Sequence, residues 1–469
     1  MAPGGGPAAL GGGGAGGLIM AAILAPAKAL AVNPLKVSQP VGAALAFLGL
    51  ARCMPLEHGA RGCAAFNKLF FMRHFREPIA LQTTAMDQVT TILGADESVV
   101  EALATLAARD QPEVVGLVAT GLAETQGADI PRTIAAFRAA HPGLAAMAVV
   151  PVSATDTQGC LESGYALAVE AILDHLGPAV PAARRRPRQV NLLASSMLCP
   201  GDIDVLRAWI EAFGLEAVVL PDLGDSLDGH LIEAGFSTLT YGGTPRPAIA
   251  ALAQSAATLV IGPSLERAAR RLAERTGLPT HSFAGLSDLA ACDSFTHTLA
   301  AIAGRPVPPR LCRARDRLLD AMVDCQFQLG GTRVALAADP DLLAALTVFL
   351  SGMGMEVVAA VASARGPALA GLELDEVLVG DFEDLERLAR DRHAELIIAN
   401  SHGAPVAARL GLPLLRAGFP VTDVYGAPSL ASVGYDGSRR LLFELANLML
   451  GQYREIAPYR SRYRRDAPC

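Results

Sequence analysis

Short apolar runs alternate along the chain with segments whose apolar residues recur at helical spacing. After the run at 190–194, apolar residues return at i, i+3, i+7 and i+10 from Ile203, which predicts an amphipathic helix. Asp202 is expected to cap this helix and Gly214 to end it. A second apolar run follows at 217–220. Continuous apolar strands separated by such helices are typical of a parallel sheet that is covered on both faces.

The same strand–helix–strand unit recurs further along the chain. A run at 334–338 is followed by a predicted helix at 340–352 and by another run at 356–360. In addition, 257–264 parallels 394–401, and each leads into an Ala- and Arg-rich helix and then a Gly-Leu-Pro sequence. Repetition of one unit indicates related domains within a single chain.

A weaker copy of the repeat at 113–120 extends the pattern to the amino-terminal part of the chain. The sequence therefore predicts an α/β fold of three doubly wound, Rossmann-like parallel-sheet domains. Pro- and Arg-rich residues at 181–187 and Pro- and Gly-rich residues at 303–310 are expected to be linkers. The predicted divisions are a disordered leader at 1–29, a first domain at 30–186, a second at 187–305 and a third, with a helical tail, at 306–469.

The leader prediction rests on composition. The first 17 residues contain nine glycines and no charged side chain, so they cannot bury enough surface to order themselves. The apolar run at 18–25 resembles the core of a signal peptide, but the first positive residue, Lys28, comes after it. A disordered leader is therefore favoured over a secretion signal. No later apolar stretch is long enough to predict a transmembrane helix, so we expect no membrane partner.

Overall composition argues against several classes of function. The chain of 469 residues is 51% hydrophobic, and its net charge of −7 argues against binding nucleic acid through phosphate contacts. Its eight cysteines include no C-x-x-C pair, which disfavours a self-contained zinc ribbon or ferredoxin-type site. Free thiols in a chain of this size indicate a reducing, cytoplasmic location.

One cysteine stands in an unusual setting. Gly59 and Gly62 flank a turn that ends at Cys63. A thiol on a Gly-rich turn is open to a ligand, and backbone N–H groups there can hydrogen-bond a thiolate or sulfide. The alternative for any lone cysteine is a small buried apolar residue, and for the other cysteines that interpretation is favoured.

Other clusters each allow a functional and a structural interpretation. His58 could be a ligand or proton relay, or a turn histidine bonded to its surroundings. Arg73, His74 and Arg76 could bind an acidic partner, but their spacing favours a solvated helix face. The arginines at 184–186 could dock a partner, but a solvated linker is favoured. The aspartates within 222–228 could form a hard-metal loop, but they lack the final Glu of a calcium loop.

Several of these segments together resemble the NifN family, the β-type subunits of the scaffold on which the nitrogenase iron–molybdenum cofactor is matured. This family belongs to the nitrogenase component 1 group. The likeness extends from about residue 30 to nearly the end of the chain. The segments that carry it are 38–45, 54–59, 73–78, 81–86, 120–127, 221–229, 398–402 and 414–420.

The resemblance also separates this family from the β subunit of nitrogenase itself, which supplies three cysteines to an eight-iron cluster. The corresponding positions here are Ser38, Cys63 and Gly121. Two of the three thiolates are therefore missing. One remaining thiolate suits a [4Fe–4S] cluster to which a partner subunit contributes the other three cysteines.

What the resemblance implies is a non-catalytic scaffold subunit with oxidoreductase ancestry. It implies an α2β2 heterotetramer with a NifE-type subunit and a [4Fe–4S] cluster at each αβ interface, with Cys63 as this chain's metal and cofactor ligand. The cluster would relay electrons, while the partner would hold most of the iron–molybdenum cofactor precursor. The nitrogenase iron protein would dock transiently, and a further protein would donate the precursor.

The ligand turn departs from the pattern common in the family, His-Gly-Ser-Gln-Gly-Cys. Ala60 and Arg61 replace the Ser and Gln. Loss of a hydroxyl and gain of a cation beside the cluster lead us to expect a somewhat higher reduction potential, because positive charge favours the reduced form.

Two alternatives remain open from the sequence. The first is the β subunit of a nitrogenase-like reductase, either nitrogenase or dark-operative protochlorophyllide reductase, which the thiolate count disfavours. The second is a stand-alone nucleotide-dependent α/β enzyme. The chain has no G-x-S-x-G, P-loop, H-E-x-x-H or G-x-G-x-x-G motif, so this second reading depends on fold analogy alone.

Overall fold

The architecture is described from a computed structural model that covers residues 21–30, 33–231 and 237–452. Within those ranges the strands form three sheets, and every strand pairing is parallel. In chain order the strands are β1 (Ala22–Leu24), β2 (Cys53–His58), β3 (Gln82–Thr83), β4 (Val114–Ala119), β5 (Ala148–Ser153), β6 (Gln189–Ala194), β7 (Glu216–Leu220), β8 (Ala257–Ile261), β9 (Thr280–Phe283), β10 (Arg333–Ala338), β11 (Glu356–Ala362), β12 (Glu376–Val379), β13 (Leu396–Ala399) and β14 (Leu414–Arg416).

Helices connect the strands and cover the sheets. In chain order they are α1 (Gln39–Leu48), α2 (Arg61–Phe75), α3 (Gln88–Leu93), α4 (Asp96–Arg109), α5 (Gly121–Gln126), α6 (Ile130–Ala140), α7 (Leu161–Leu176), α8 (Pro200–Ala212), α9 (Leu223–Ser226), α10 (Arg246–Ala250), α11 (Glu266–Thr276), α12 (Leu289–Ala303), α13 (Pro309–Leu329), α14 (Pro340–Gly352), α15 (Phe382–Asp391), α16 (Ala404–Leu410) and α17 (Gly434–Leu450). In the described ranges, no helix combines the length and apolar character needed to cross a membrane.

The three sheets follow the predicted order along the chain. The first has the order β3-β2-β4-β5, the second β7-β6-β8-β9 and the third β1-β12-β11-β10-β13-β14. In the first sheet β3 lies on one side of β2, whereas β4 and β5 lie on the other; in the second sheet β7 and the pair β8 and β9 flank β6 in the same way. This reversal of strand order is typical of a doubly wound fold. The prediction of three doubly wound parallel-sheet units is confirmed.

Individual elements also match. The predicted helix at 340–352 is α14, and the runs at 190–194, 334–338 and 356–360 lie within strands. Central strands such as β2, β4 and β6 are buried along their whole length. Because a parallel strand covered on both faces has no polar side, its sequence reads as a continuous apolar run.

The start of the next helix differs from the prediction. The helix α8 begins at Pro200, with Cys199 rather than Asp202 at its N-cap. Asp202 lies in the first turn, where its carboxylate accepts a hydrogen bond from the Cys199 N–H at 2.9 Å. The other carboxylate oxygen accepts the Ser432 N–H at 2.6 Å, so this residue joins α8 to the segment before α17.

The leader prediction was wrong for residues 21–29. Ala22–Leu24 forms the edge strand β1, which pairs in parallel with Glu376–Leu378 of β12. The Lys28 ammonium lies 3.1 Å from the Asp381 carboxylate at the end of the same sheet. Tertiary pairing therefore orders a short apolar segment that composition alone assigns to a tail. The predictions for residues 1–20 and for the tail at 453–469 lie outside the described residues.

The predicted linkers fall between the sheets. No helix or strand occupies residues 177–188, between α7 and β6, and a short irregular segment separates α12 from α13. Arg185, one of the candidate docking arginines, donates to the carbonyl oxygens of Ser255 and Thr276. This arginine holds the linker against the second sheet unit. The exact domain boundaries remain predictions.

Buried carboxyl groups meet where the three sheet units join. Glu162, at the start of α7, and Asp341, in the first turn of α14, are almost fully buried. Asp339, which precedes α14, is half-buried. The Asp341 N–H donates to Glu162 at 2.7 Å, and the Ser264 hydroxyl after β8 donates to Asp341 at 2.6 Å. Burial raises the pKa of Asp339 to about 6 and raises the pKa of Glu162 and Asp341.

Glu162→Gln is expected to stabilise the protein at alkaline pH. An acid whose pKa is raised by folding favours the folded state at low pH, and this contribution is lost as the pH rises through the interval between its unfolded and folded values. The amide carries no charge and can still accept the Asp341 N–H. We expect a gain of roughly 1 kcal/mol at about pH 8, the low end of the cost of burying a poorly compensated polar group, and little gain near pH 4.

Thermal unfolding across this pH range measures the effect, as a rise of about 1 °C in the midpoint at alkaline pH. Glu373→Gln, at an exposed position, is the matched control and should change little. A Glu162→Gln midpoint that falls below the parent at alkaline pH would show that the carboxylate is needed in its ionised form.

Candidate functional site

Cys63 lies in the first turn of α2, directly after the turn that follows β2. The glycine at 59 is required there, because a Cβ atom on it would lie 2.5 Å from the Thr120 Oγ1 and 2.9 Å from its Cγ2. The Gly59 carbonyl accepts the Met86 N–H at 2.9 Å, which fixes the turn from the other side. The result is an exposed thiol held at the carboxyl edge of the first sheet.

The three positions singled out in the sequence all lie at this edge. Ser38 is the N-cap of α1, Cys63 is in the first turn of α2, and Gly121 is the first residue of α5. The carboxyl ends of parallel strands are the usual ligand-binding edge of an open α/β sheet. Ser38 makes no side-chain cap to its own helix.

Asp156, in the loop after β5, lies beside Gly121 and is bonded to the segment before Ser38. Lys36 donates to its carbonyl oxygen at 3.0 Å, and a Cβ on Gly121 would lie 3.6 Å from both its backbone nitrogen and a carboxylate oxygen. The neighbouring Thr155 N–H donates to Gln39 at 3.1 Å. Sequence reasoning missed Asp156, although an acid just beyond an apolar strand end was a usable signal.

The electrostatic setting of Cys63 opposes a free thiolate. Partial burial raises the pKa of the thiol, and the negative charges of Asp156 and then Glu57 raise it further; only its own backbone N–H lowers it. The same carboxylates favour a cation at this position. A bound metal ion deprotonates a coordinating thiol outright, so the surroundings suit a metal-bound sulfur better than a free nucleophile.

Two buried residues precede the turn. His58 is fully buried, and its Nδ1 lies 2.9 Å from the Thr84 Oγ1. Burial lowers its pKa, so the imidazole is neutral at physiological pH. Among the described residues nothing hydrogen-bonds its Nε2. Glu57, the preceding residue, accepts a hydrogen bond from Asn67 of α2 at 2.8 Å.

The described residues do not form a complete metal site by themselves. Within the described ranges, no three His, Cys, Asp or Glu side chains come together in a way that could hold a metal ion. The donor available at the carboxyl edge is the single exposed thiol of Cys63. This donor set fits one share of an iron–sulfur cluster whose remaining ligands come from another subunit, and not a cluster held by one chain.

The aspartates within 222–228 have structural partners. Asp222 caps α9 and pairs with Arg207 at 2.5 Å. Asp225 accepts the Gly243 N–H at 2.9 Å, and Asp228 bonds to His230. These contacts favour the crossover-loop interpretation.

The basic segment at the end of α2 divides into two parts. His74 is buried, and its Nδ1 accepts the Val421 N–H at 2.9 Å, so the expectation of a solvated face was wrong for this residue. Burial lowers the pKa of His74 to about 4. Arg76 stacks on the Tyr425 ring at 4.8 Å, and Arg73 is exposed.

The remaining cysteines are spread through the fold. Cys53 is fully buried at the start of β2, the end of the strand opposite the ligand turn. Cys160, Cys292 and Cys325 are buried, and Cys199 is half-buried. Cys312 is exposed on α13, and Cys469 lies outside the described residues.

The outer face of α2 carries a stripe of exposed apolar side chains next to the thiol. Phe66 is 65% exposed, and Leu69 and Met72 are each nearly half exposed. On α3, the next helix along the chain, Val89 and Ile92 are also exposed. Exposed apolar side chains grouped on a helix face typically mark a protein interface. We refer to these five residues as the α2–α3 surface.

Comparison with known proteins gives consistent results. The family model described as nitrogenase component 1 type oxidoreductase matches residues 38–450. The chain is 44% identical over 447 residues to the nitrogenase iron–molybdenum cofactor biosynthesis protein NifN of Klebsiella pneumoniae, covering 95% of this chain and 97% of that protein. It is 42% identical to the NifN protein of Bradyrhizobium diazoefficiens, with 92% of each chain covered.

Solved structures show the same fold as this chain. A chain described as nitrogenase Cp1 at pH 6.5 superimposes with a TM-score of 0.85 at 28% identity, covering 91% of this chain and 95% of that one. A second chain, described as nitrogenase Cp1 at pH 5, has a TM-score of 0.67 at 13% identity and shows the shared fold alone.

Proposed function

This chain belongs to the NifN family of nitrogenase component 1 type oxidoreductases, and from that membership we propose that it is a subunit of the scaffold on which the iron–molybdenum cofactor is matured. Relatives at 44% and 42% identity over more than nine-tenths of the chain are named for this biosynthesis. A role as the β subunit of a nitrogenase-like reductase is disfavoured, because Ser38 and Gly121 occupy two of the expected thiolate positions.

The observation that carries the finer proposal is the single exposed thiol at the carboxyl edge. We propose that Cys63 is this chain's ligand to a [4Fe–4S] cluster and that a NifE-type partner supplies the other three cysteines. Cys63 lies in the first turn of α2, where backbone N–H groups have no partner within the helix, and its own N–H lowers the pKa of the thiol. The negative charges of Asp156 and Glu57 favour positive charge nearby. When bound, the cluster would supply one-electron transfer.

The chain's own residues have defined tasks in this proposal. Gly59 allows the turn to approach Thr120, and Cys63 provides the sulfur. Asp156 lies between the start of α5 and the segment before α1, and its negative charge raises the pKa of the Cys63 thiol. Arg61 opens α2 as an exposed cation beside the thiol. We propose that the nitrogenase iron protein docks transiently to deliver electrons, and that the precursor, brought by a donor protein, is held mainly by the partner. The proposed location is the cytoplasm.

The α2–α3 surface is the proposed contact with the partner subunit. It adjoins Cys63, and a cluster shared between two chains requires both to meet at that residue. Exposed Arg61 and Arg73 flank the apolar stripe on α2. These charges suit a partner face that is apolar at its centre and acidic at its rim. The proposed assembly is an α2β2 heterotetramer.

Phe66→Glu is expected to weaken assembly with the NifE-type subunit. A carboxylate in the centre of an apolar interface loses its hydration, and a disrupted aromatic anchor typically costs about 2 kcal/mol or more, roughly a thirtyfold loss of affinity. Anaerobic co-purification followed by gel filtration and iron analysis measures the result.

Val180→Glu is the matched control, because Val180 is 68% exposed in the linker after α7. It should leave the heterotetramer intact. If Phe66→Glu still co-purifies as a heterotetramer with full iron content, the partner does not use this surface. An iron-free monomer from the unaltered chain, co-expressed with its partner, would overturn the proposed function itself.

A further inference from the structure

A cavity of about 300 Å³ lies where the three sheet units meet. Its walls include parts of α1 and α2 from the first unit, the segment after β6 from the second, and α14, α17 and the segment after β14 from the third. Apolar cavities about half this size bind small aromatic molecules in other proteins. The residues here therefore enclose enough space for a ligand with an apolar body.

The cavity adjoins the points at which the strand order of two sheets reverses. In the second sheet β7 and β8 flank β6, and Ser196 and Met197, which follow β6, line the cavity. In the third sheet β11 and β13 flank β10, and Leu342, in the helix that follows β10, also lines it. A narrower extension reaches Asp339, directly after β10. Ligands of open α/β sheets bind outside the carboxyl ends of the strands at such reversals, so this position favours a binding site.

Aromatic rings form one wall of the cavity. His74 and Phe75, at the end of α2, and Phe419, after β14, all line it. The centroid of the His74 ring lies 4.5 Å from that of Phe75 and 4.8 Å from that of Phe419, and both pairs are edge to face. Burial lowers the pKa of His74 to about 4, so its ring is neutral at physiological pH. Because aromatic rings pair edge to face or offset, this wall suits an aromatic ligand.

Two arginines line the cavity where it meets solvent. The side chains of Arg416 and Arg440 are 31% and 34% exposed. Arg416 pairs with Asp423 and Arg440 with Glu444, each at 2.7 Å, and Arg440 also donates to the Ala431 carbonyl oxygen at 2.9 Å. A guanidinium carries five N–H groups, so both side chains are fixed in position and still have donors for a further acceptor. A carboxylate fits such forked donors best.

The segment between β14 and α17 closes one side of the cavity and is held at both of its ends. Arg76 donates to the Thr422 carbonyl oxygen at 2.9 Å, and its guanidinium lies 4.8 Å from the centre of the Tyr425 ring. At the other end, the Ser432 N–H donates to Asp202 at 2.6 Å. The wall is therefore already ordered, and a ligand loses little free energy in arranging it.

We propose that this cavity binds an aromatic carboxylate of low molecular weight. The ring lies against Phe75 and Phe419, and the carboxylate accepts hydrogen bonds from Arg416 and Arg440 at the opening. The site is separate from the iron–sulfur cluster proposed for Cys63, and the proposal does not depend on that cluster.

Equilibrium dialysis of 2-naphthoate against the heterotetramer tests the proposal. We expect one molecule to bind per copy of this chain with a dissociation constant of about 1 mM or lower, as typical ligand efficiencies predict. 2-Naphthylmethylamine has the same ring system and the opposite charge, and it should bind at least about tenfold more weakly beside the two arginines. Equal affinity for the two compounds would overturn the assignment of an anionic ligand.

Variants of the cavity separate this site from any other on the complex. Arg440→Gln removes a charged donor and should weaken 2-naphthoate binding about tenfold while leaving the amine unaffected, whereas a general disturbance of the fold would weaken both. Arg439→Gln is the matched control, because Arg439 pairs with Asp436 on the same helix and does not line the cavity.

Leu346→Phe tests the cavity itself. Leu346 is 3% exposed and lines the cavity, so a larger side chain at this position should occupy part of the space and weaken the binding of both compounds. Thermal unfolding of this variant establishes that it remains folded. Parental affinity for 2-naphthoate in both Arg440→Gln and Leu346→Phe, or no binding to the parent at about 10 mM, would overturn the proposal.

Discussion

Cys63→Ala is expected to lower the iron content of the purified heterotetramer by up to about four atoms per αβ pair and to abolish the interface EPR signal after reduction. Among the described residues Cys63 is the one exposed thiol at the carboxyl edge of the first sheet, since Cys160 at the same edge is buried. These residues provide no set of three metal-binding side chains to replace it. Alanine removes the sulfur and leaves the first turn of α2 able to form.

Iron quantification and EPR on anaerobically co-purified protein measure this result. Cys312→Ala is the matched control, because Cys312 is also exposed but lies on α13. It should retain iron and signal. Gel filtration establishes whether the Cys63→Ala chain still assembles, so that loss of a ligand is distinguished from loss of the partner. Unchanged iron in an intact heterotetramer would contradict the assignment of Cys63.

The iron measurement on Cys63→Ala also bears on the two positions, Ser38 and Gly121, that lack a thiolate. Ser38 and Gly121 lie at the same sheet edge as Cys63, each at the start of a helix, which is the arrangement expected if all three positions once served one site. Glycine has no donor atom, so a cluster here needs outside ligands. Loss of iron from the Cys63→Ala heterotetramer would therefore indicate a site to which both subunits must contribute ligands.

The repeated strand–helix–strand units were predictable because each was a local pattern. The helix at 340–352 and its flanking strands have continuous apolar runs and helical spacing that no distant contact overrides. The edge strand β1 was not predictable in this way. Three residues have no periodicity to detect, and their ordering depends on pairing with Glu376–Leu378, more than 350 residues later.

The candidate site shows the same division between local and long-range information. Cys63 and its glycines were visible because they are adjacent in sequence. Asp156 and Asn67 were not, because their relevance comes from the fold, which brings one beside Gly121 and the other onto Glu57. His74 was misjudged for the same reason: its partner, the Val421 N–H, lies 347 residues away.

The scaffold around this site depends on close packing of two helices. Gly42 on α1 faces the backbone of α7: a Cβ on it would lie 2.8 Å from the Tyr165 nitrogen and far inside contact distance of the Leu161 carbonyl oxygen. Gly164 on α7 is the reciprocal contact, with its Cβ position 2.6 Å from the Gln39 Cα. Because these neighbours are backbone atoms, no side-chain rotation can make room.

Gly42→Ala is therefore expected to destabilise the protein by roughly 3 kcal/mol, at the upper end of overpacking effects, whereas alanine in an open helical position gains stability. Gly352→Ala, at the end of α14 where a Cβ would meet nothing within 4 Å, is the matched control. Urea unfolding of both variants measures the difference.

Since α1 also carries Ser38 at its N-cap and the Gln39 contact to Thr155, displacement of this helix should loosen the loop that holds Asp156 and lower iron retention as well. A Gly42→Ala variant as stable as the Gly352→Ala variant would show that the two helices can separate freely, and that their close packing does not fix the loop that holds Asp156.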